Sequence, residues 1–109
     1  MHETAIVRIA LTTAGSMEEA QNLAQALVER HAAACVSLIP NLTSVYQWRG
    51  AVEETSEVML VIKTTAEQLS AVEAVLRELH SYEVPELIAL SAQSGSQQYL
   101  DWLLSSVKA

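Results

Sequence analysis

The chain has 109 residues, half of them apolar and 17% charged, and a net charge of −7. That balance suits one packed domain, residues 1–109, and argues against disorder. A negative field repels phosphate backbones and anionic lipid, so nucleic acid and membrane surfaces are disfavoured as partners.

Taken in chain order, Met1-His2-Glu3-Thr4 lacks the basic start and apolar run of a signal peptide, so the cytoplasm is the expected location. Ala5 to Leu11 read as a first strand, β-branched and apolar apart from Arg8. Ser16-Met17-Glu18-Glu19 has capping-box spacing, and apolar residues then recur at Ala20, Leu23, Ala24, Leu27 and Val28, the one-face pattern of a helix ending near His31. Cys35 to Ile39 is a buried strand run closed by Pro40-Asn41, and Leu42 to Trp48 continues it. Cys35 is the only cysteine, which precludes an internal disulfide and fits a reducing compartment. Ala32 to Trp48 is uncharged but too polar and broken to span a bilayer.

Arg49-Gly50 is the obvious reversal, and Val52 to Thr64 returns as a strand. Thr65-Ala66-Glu67-Gln68 repeats the capping-box spacing before a helix that places Leu69, Val72, Leu76 and Leu79 on one face and ends at His80. Val84 to Leu90 is expected to form a fourth strand, with Pro85 near its start. Gly95-Ser96 opens a terminal helix with Tyr99, Leu100, Leu103, Leu104 and Val107 inward and Trp102 partly so. The order βαββαβ plus one helix predicts an α+β fold: a four-stranded antiparallel sheet with both long helices on one face.

Two features of this plan predict association. No helix is left to cover the second sheet face. The hairpin arms, about 12 residues each, extend roughly 40 Å, against a radius of gyration of roughly 13 Å for a domain of this length. The tip, with Tyr46, Trp48 and Val52, should overhang the body. A free two-stranded ribbon is marginal in water, so it is expected to dock on another copy of the chain.

Several stretches resemble the divalent-cation tolerance proteins of the CutA family: Ala34-Cys35-Val36, Ile39-Pro40, Thr43 to Gly50 (TSVYQWRG), Val52-Glu53-Glu54, Glu57-Val58, Lys63-Thr64, His80 to Glu86 (HSYEVPE) and Tyr99-Leu100-Asp101-Trp102. They lie in the family's order and spacing over nearly the whole chain. The resemblance implies a ferredoxin-like subunit, a homotrimer whose long hairpins pack between neighbours, and kinship in shape with PII signalling proteins, which sense ligands at subunit clefts. It implies metal tolerance as the role, with copper binding in some members and no catalytic reaction. The family's His-Pro-Tyr-Glu reads His80-Ser81-Tyr82-Glu83 here, and Ser81 is expected to loosen that corner. Where copper-binding members carry a cysteine and adjacent histidines, this chain has Thr12 and Leu79-His80, leaving one candidate ligand.

Among individual residues, His80 is the leading metal candidate, because imidazole suits borderline metals, although a histidine also closes a helix favourably. His31 carries the second of those roles. A free terminal amine followed by His2 offers a nitrogen set suited to Cu(II). Cys35, inside an apolar strand, reads as structural. Tyr46, Trp48, Glu57, Lys63, Tyr82, Glu83 and Glu86 can line a cleft between subunits, either binding a polar small molecule or holding the oligomer. No phosphate loop, HExxH, paired cysteines or nucleophile elbow is present. The expected function is therefore a non-enzymatic, trimeric divalent-cation tolerance protein that binds copper or another divalent ion weakly and requires no cofactor. A PII-like small-molecule sensor is the alternative, and an enzyme using Glu83 and Tyr82 comes third.

Overall fold

The computed structural model describes residues 1–107, in the order β1 (His2–Glu3), β2 (Val7–Ala14), α1 (Met17–Glu29), β3 (Cys35–Trp48), β4 (Ala51–Thr65), α2 (Leu69–Leu79), β5 (Ile88–Ser91), β6 (Ser94–Gly95) and α3 (Gln97–Ser106). A mixed α+β fold results, with antiparallel sheets and three helices. The main sheet has the order β3-β4-β2-β5, and β1 pairs with β6 in a separate ribbon.

The strands obey a period of two. Ala10, Ala14, Val58, Leu60 and Ile62 point to one face, where they share a buried core with Ala20, Leu23 and Leu27 of α1 and Val72, Val75 and Leu76 of α2. Each helix turns a single apolar stripe inward, so both cover the same face. Residues of the opposite parity, Ile9, Leu11, Met59 and Val61, face the other way and are only half-buried, while Ile88 and Leu90 beside them are exposed.

The second face is not wholly bare, as the sequence suggested. Leu100, Leu103 and Val107 of the α3 segment form a second cluster with Val7 and Ala34, covering one end of it. Tyr99, expected inward, is 44% exposed, as is Trp102 at 46%. The buried stripe of α3 is narrower than the sequence suggested, because the helix rests on the sheet's end rather than across it.

Local signals explain the element ends. Ser16 Oγ accepts from the Glu19 amide at 3.1 Å and starts α1. His31, at φ 59°, takes the left-handed turn after the helix while Ala32 and Ala33 donate to the Leu27 carbonyl. The second capping box does not form. Thr65 is still the last paired residue of β4, opposite Val7, and makes no cap; a 3₁₀ turn, Ala66–Gln68, leads into α2 instead. The first strand of the main sheet, β2, runs from Val7 to Ala14, later than expected. The fourth strand of the main sheet begins at Ile88 rather than Val84, and residues 80–87 are irregular.

The hairpin is as long as the sequence suggested. β3 has 14 residues and β4 has 15, and the molecule measures 45 × 25 × 22 Å. Arg49 (φ 51°) and Gly50 (φ 84°) close it between the paired Trp48 and Ala51, a two-residue turn that needs left-handed backbone twice. Between Ile39 and Leu42 the register shifts by one residue, with Asn41 at φ 62°. This bulge at Pro40-Asn41 bends the arm away from the base.

Candidate functional site

A cleft of about 580 Å³ opens where the hairpin leaves the base of the sheet. Of the seven residues picked from the sequence, six line it: Tyr46, Trp48, Glu57, Tyr82, Glu83 and Glu86. Lys63 does not. It stands on the second sheet face, where its ammonium donates to Ser37 Oγ and lies 3.7 Å from Cys35 Sγ. Distance along the strand separates the two positions: Lys63 pairs with Cys35 and Ile9, on the same face as Glu57 but six residues up β4, roughly 20 Å away.

One wall of the cleft comes from the arm. Tyr46 and Trp48 are about 42% and 43% exposed, and the Tyr46 hydroxyl bonds Thr55 Oγ1 at 2.8 Å. Glu57, at the foot of β4, is the exception in a run of exposed residues: it is only 8% exposed. Its carboxylate accepts from the Tyr82 hydroxyl at 2.7 Å. Burial, then the hydrogen bond and charge of Glu57, push the Tyr82 phenol well above the usual tyrosine range.

The other wall is the irregular segment after α2, and a small polar network fixes it. His80 has no exposed side-chain surface. Its Nε2–H donates to the Thr13 carbonyl at 2.6 Å, and its Nδ1 accepts from the Tyr82 amide at 3.0 Å, the tautomer this pair of partners demands. With both nitrogens so engaged, the ring has no free lone pair for a metal in this arrangement. The histidine aims Tyr82 instead, with the two rings 4.7 Å apart.

Ser81 tightens the corner rather than loosening it. Its amide donates to Glu19 Oε2 at 2.7 Å and its hydroxyl to Glu19 Oε1 at 3.0 Å, the first of which a proline could not do. Burial alone would raise the Glu19 carboxyl, but these bonds and a longer one from the Gly15 amide together hold it below the ordinary value. Gly15 leaves room for Tyr82: a side-chain carbon there would sit 3.3 Å from its hydroxyl.

Reasoning from the sequence missed Thr13, Ser44, Val45 and Val84 in the lining, and Glu19 as a latch. Glu19 announced itself only as a helix-capping residue, and its reach to Ser81, 62 positions away, leaves no local signal. His2 is exposed on β1, opposite Gly95 and apart from the cleft. Among the described residues, no three of His, Cys, Asp and Glu gather closely enough to hold a metal ion, and no helix is long and apolar enough to cross a membrane.

Comparison with known proteins gives a consistent result. The family model for the CutA1 divalent ion tolerance protein matches residues 8–106. The divalent-cation tolerance protein CutA of Thermus thermophilus is 44% identical over 95 residues, covering 87% of this chain and 92% of that one. Protein CutA of Mus musculus is 43% identical over 97 residues, 89% of this chain but only 55% of the mouse protein, so the chain spans about half the length of that relative. Among solved structures, CutA from Synechococcus elongatus complexed with a Bis-Tris molecule superposes with a TM-score of 0.88 at 45% identity, covering 95% of this chain and 96% of that one.

Proposed function

The chain belongs to the CutA1 divalent ion tolerance family, and on that premise we propose that it serves divalent-cation tolerance as a homotrimer. The observation that carries the assembly is the arm. Val45 and Val52 at its end are 64% and 71% exposed, beside half-exposed Tyr46 and Trp48. Apolar side chains on a projecting ribbon are a poor monomer surface and a good contact surface. Three copies related by rotation bury the arms against one another without leaving an open edge.

Metal binding in this reading is weak and superficial. Exposed nitrogen and carboxylate donors take Cu(II) ahead of the other divalent first-row ions on general affinity grounds, with His2 the exposed imidazole. His80 would contribute only by giving up the Tyr82 amide, which occupies the lone pair of Nδ1. Cytoplasmic residence belongs to the same proposal, supported by the unpaired Cys35. Cells lacking the chain should lose tolerance to copper or another divalent cation, and the intact gene should restore it. A Trp48→Asp chain that cannot trimerise should fail to restore it. Full restoration by a monomeric chain would contradict the proposal.

A second reading has its own support: the cleft is a small-molecule receptor, as in a PII-like sensor. A relative with 45% identity is described in complex with Bis-Tris, a small organic buffer. The volume, about 580 Å³, lies within the ordinary range of ligand pockets. An enzyme built on Glu83 and Tyr82 draws less support, because a phenol pushed above its usual range is a poor proton donor near neutral pH.

A further inference from the structure

The cleft carries a charge asymmetry that defines its ligand. Glu57 is more than nine-tenths buried, and the Tyr82 hydroxyl is the hydrogen-bond donor to its carboxylate. Glu83 and Glu86 stand on the opposite wall, and among the described residues of the chain no lysine or arginine lines the cavity. Lys63, the basic residue nearest along β4, stands six residues up the strand, roughly 20 Å away, with its ammonium engaged by Ser37. A carboxylate drawn out of water without a cation is costly, and a neutral donor such as a phenol offsets only part of that cost.

Two further features decide what kind of cation fits. Hard metal ions need several oxygens converging within about 2.6 Å, and among the described residues no trio of acidic, histidine or cysteine side chains gathers in that way. The remaining walls are aromatic: Tyr46, Trp48 and Tyr82. Aromatic faces attract large, weakly hydrated cations, which give up water cheaply and present apolar groups to the rings. Trp48 already shows this affinity, with the Arg49 guanidinium carbon 5.4 Å from its ring centre. The chain's net charge of −7 further enriches cations at its surface.

We propose that the cleft between the hairpin foot and residues 80–87 is a receptor for a small organic ammonium ion, with Glu57 as counter-charge and Tyr46, Trp48 and Tyr82 as its aromatic walls. The inference rests on the reading of the cleft as a small-molecule site and adds the sign and class of the ligand. Glu57 sets the charge preference, and Glu83 and Glu86 attract the cation from solvent. The Tyr82 hydroxyl, held on Glu57 by the His80 network, keeps the carboxylate oriented.

Three probes of one shape separate the terms: choline, its uncharged carbon isostere dimethylbutanol, and the carboxylate dimethylbutanoate. Each is titrated into the assembled protein while the Trp48 indole and the cleft amides are followed by NMR. Choline should bind saturably, about tenfold more tightly than the alcohol, with the carboxylate weakest. Glu57→Gln should abolish the preference for choline while leaving binding of the alcohol intact, which also shows that the variant is folded. Trp48→Phe should retain the preference, and Trp48→Ala, measured at a protein concentration where sedimentation shows it fully assembled, should weaken choline binding severalfold.

Equal binding of choline and the alcohol, or an unchanged preference in Glu57→Gln, would overturn the charge assignment and leave the small-molecule reading standing. Silence from all three probes at the cleft would overturn both. Displacement of choline by one equivalent of calcium or copper would reassign the site to a metal.

Discussion

One strand, β4, builds both a fully buried part and one of the most exposed parts of this molecule. At the base, Val58, Leu60, Ile62 and Thr64 of β4 are buried beneath α1 and α2. A few residues earlier on the same strand, Ala51 to Glu54 are all exposed. Backbone pairing is equally complete in the two halves, from Cys35–Lys63 at one end to Trp48–Ala51 at the other. Hydrogen bonds alone add little net stability in water, whereas apolar burial adds much. The base is therefore self-sufficient, and the arm depends on surfaces that the single chain does not supply. Glu57 marks the border between the halves, and the cleft is found there.

Substitutions that treat the two halves alike should expose this difference. Leu60→Ala, in the base, should cost about 2–5 kcal/mol in denaturant unfolding, because it removes a fully buried side chain and leaves a cavity. Trp48→Ala, in the arm, should leave the far-ultraviolet circular dichroism of the base unchanged. It should weaken assembly by about 2 kcal/mol at each contact, measured by dilution, as expected for an aromatic anchor at an interface. If Trp48→Ala instead destabilised a dilute single chain as strongly as Leu60→Ala, the contrast between base and arm would fail.

At the border, Tyr82→Phe leaves the buried Glu57 carboxylate without its donor and should cost about 1–3 kcal/mol in thermal unfolding. Tyr82→Phe at Glu57→Gln should cost less than in the parent chain, since a buried amide is cheaper to leave unpaired than a charge. The smallest effect belongs to the Glu19 latch. Its carboxyl is held below the ordinary value of 4.5, so its contribution is complete above that pH and is lost as pH falls through the lowered value. Ser81→Ala, which deletes one of its bonds, should shrink that acid-side loss without altering stability at pH 7 by more than about 1 kcal/mol. Urea midpoints measured between pH 3 and 7 would show it.

Much of the frame was legible because it rests on periodicity. Alternation along β4, the one-face stripes of α1 and α2, the Ser16 cap and the Arg49-Gly50 reversal are local patterns with local causes. The length of the hairpin followed from the same reading, and with it the exposed tip. What escaped the sequence depends on distant partners. The β1–β6 ribbon joins His2–Glu3 to Ser94–Gly95, two residues a side, too short for any period to show. Thr65 has the spacing of a cap, but its pairing with Val7 holds it in the sheet. Val84 to Leu87 look like strand, yet the pull of Tyr82 toward Glu57 and of Ser81 toward Glu19 draws that segment off the sheet and into the cleft wall. Six of the seven residues grouped from the sequence line this cleft, while Lys63 shares the face of Glu57 but stands six residues along β4: composition identifies a polar, aromatic set, and only the folded strand gives the distance between its members.

The central claim is that the arm obtains its burial from other copies of the chain. Sedimentation equilibrium of the unmodified protein at micromolar concentration measures this directly. The account predicts a single species of three chains; a stable monomer with the Tyr46 and Trp48 arm left in solvent would contradict it.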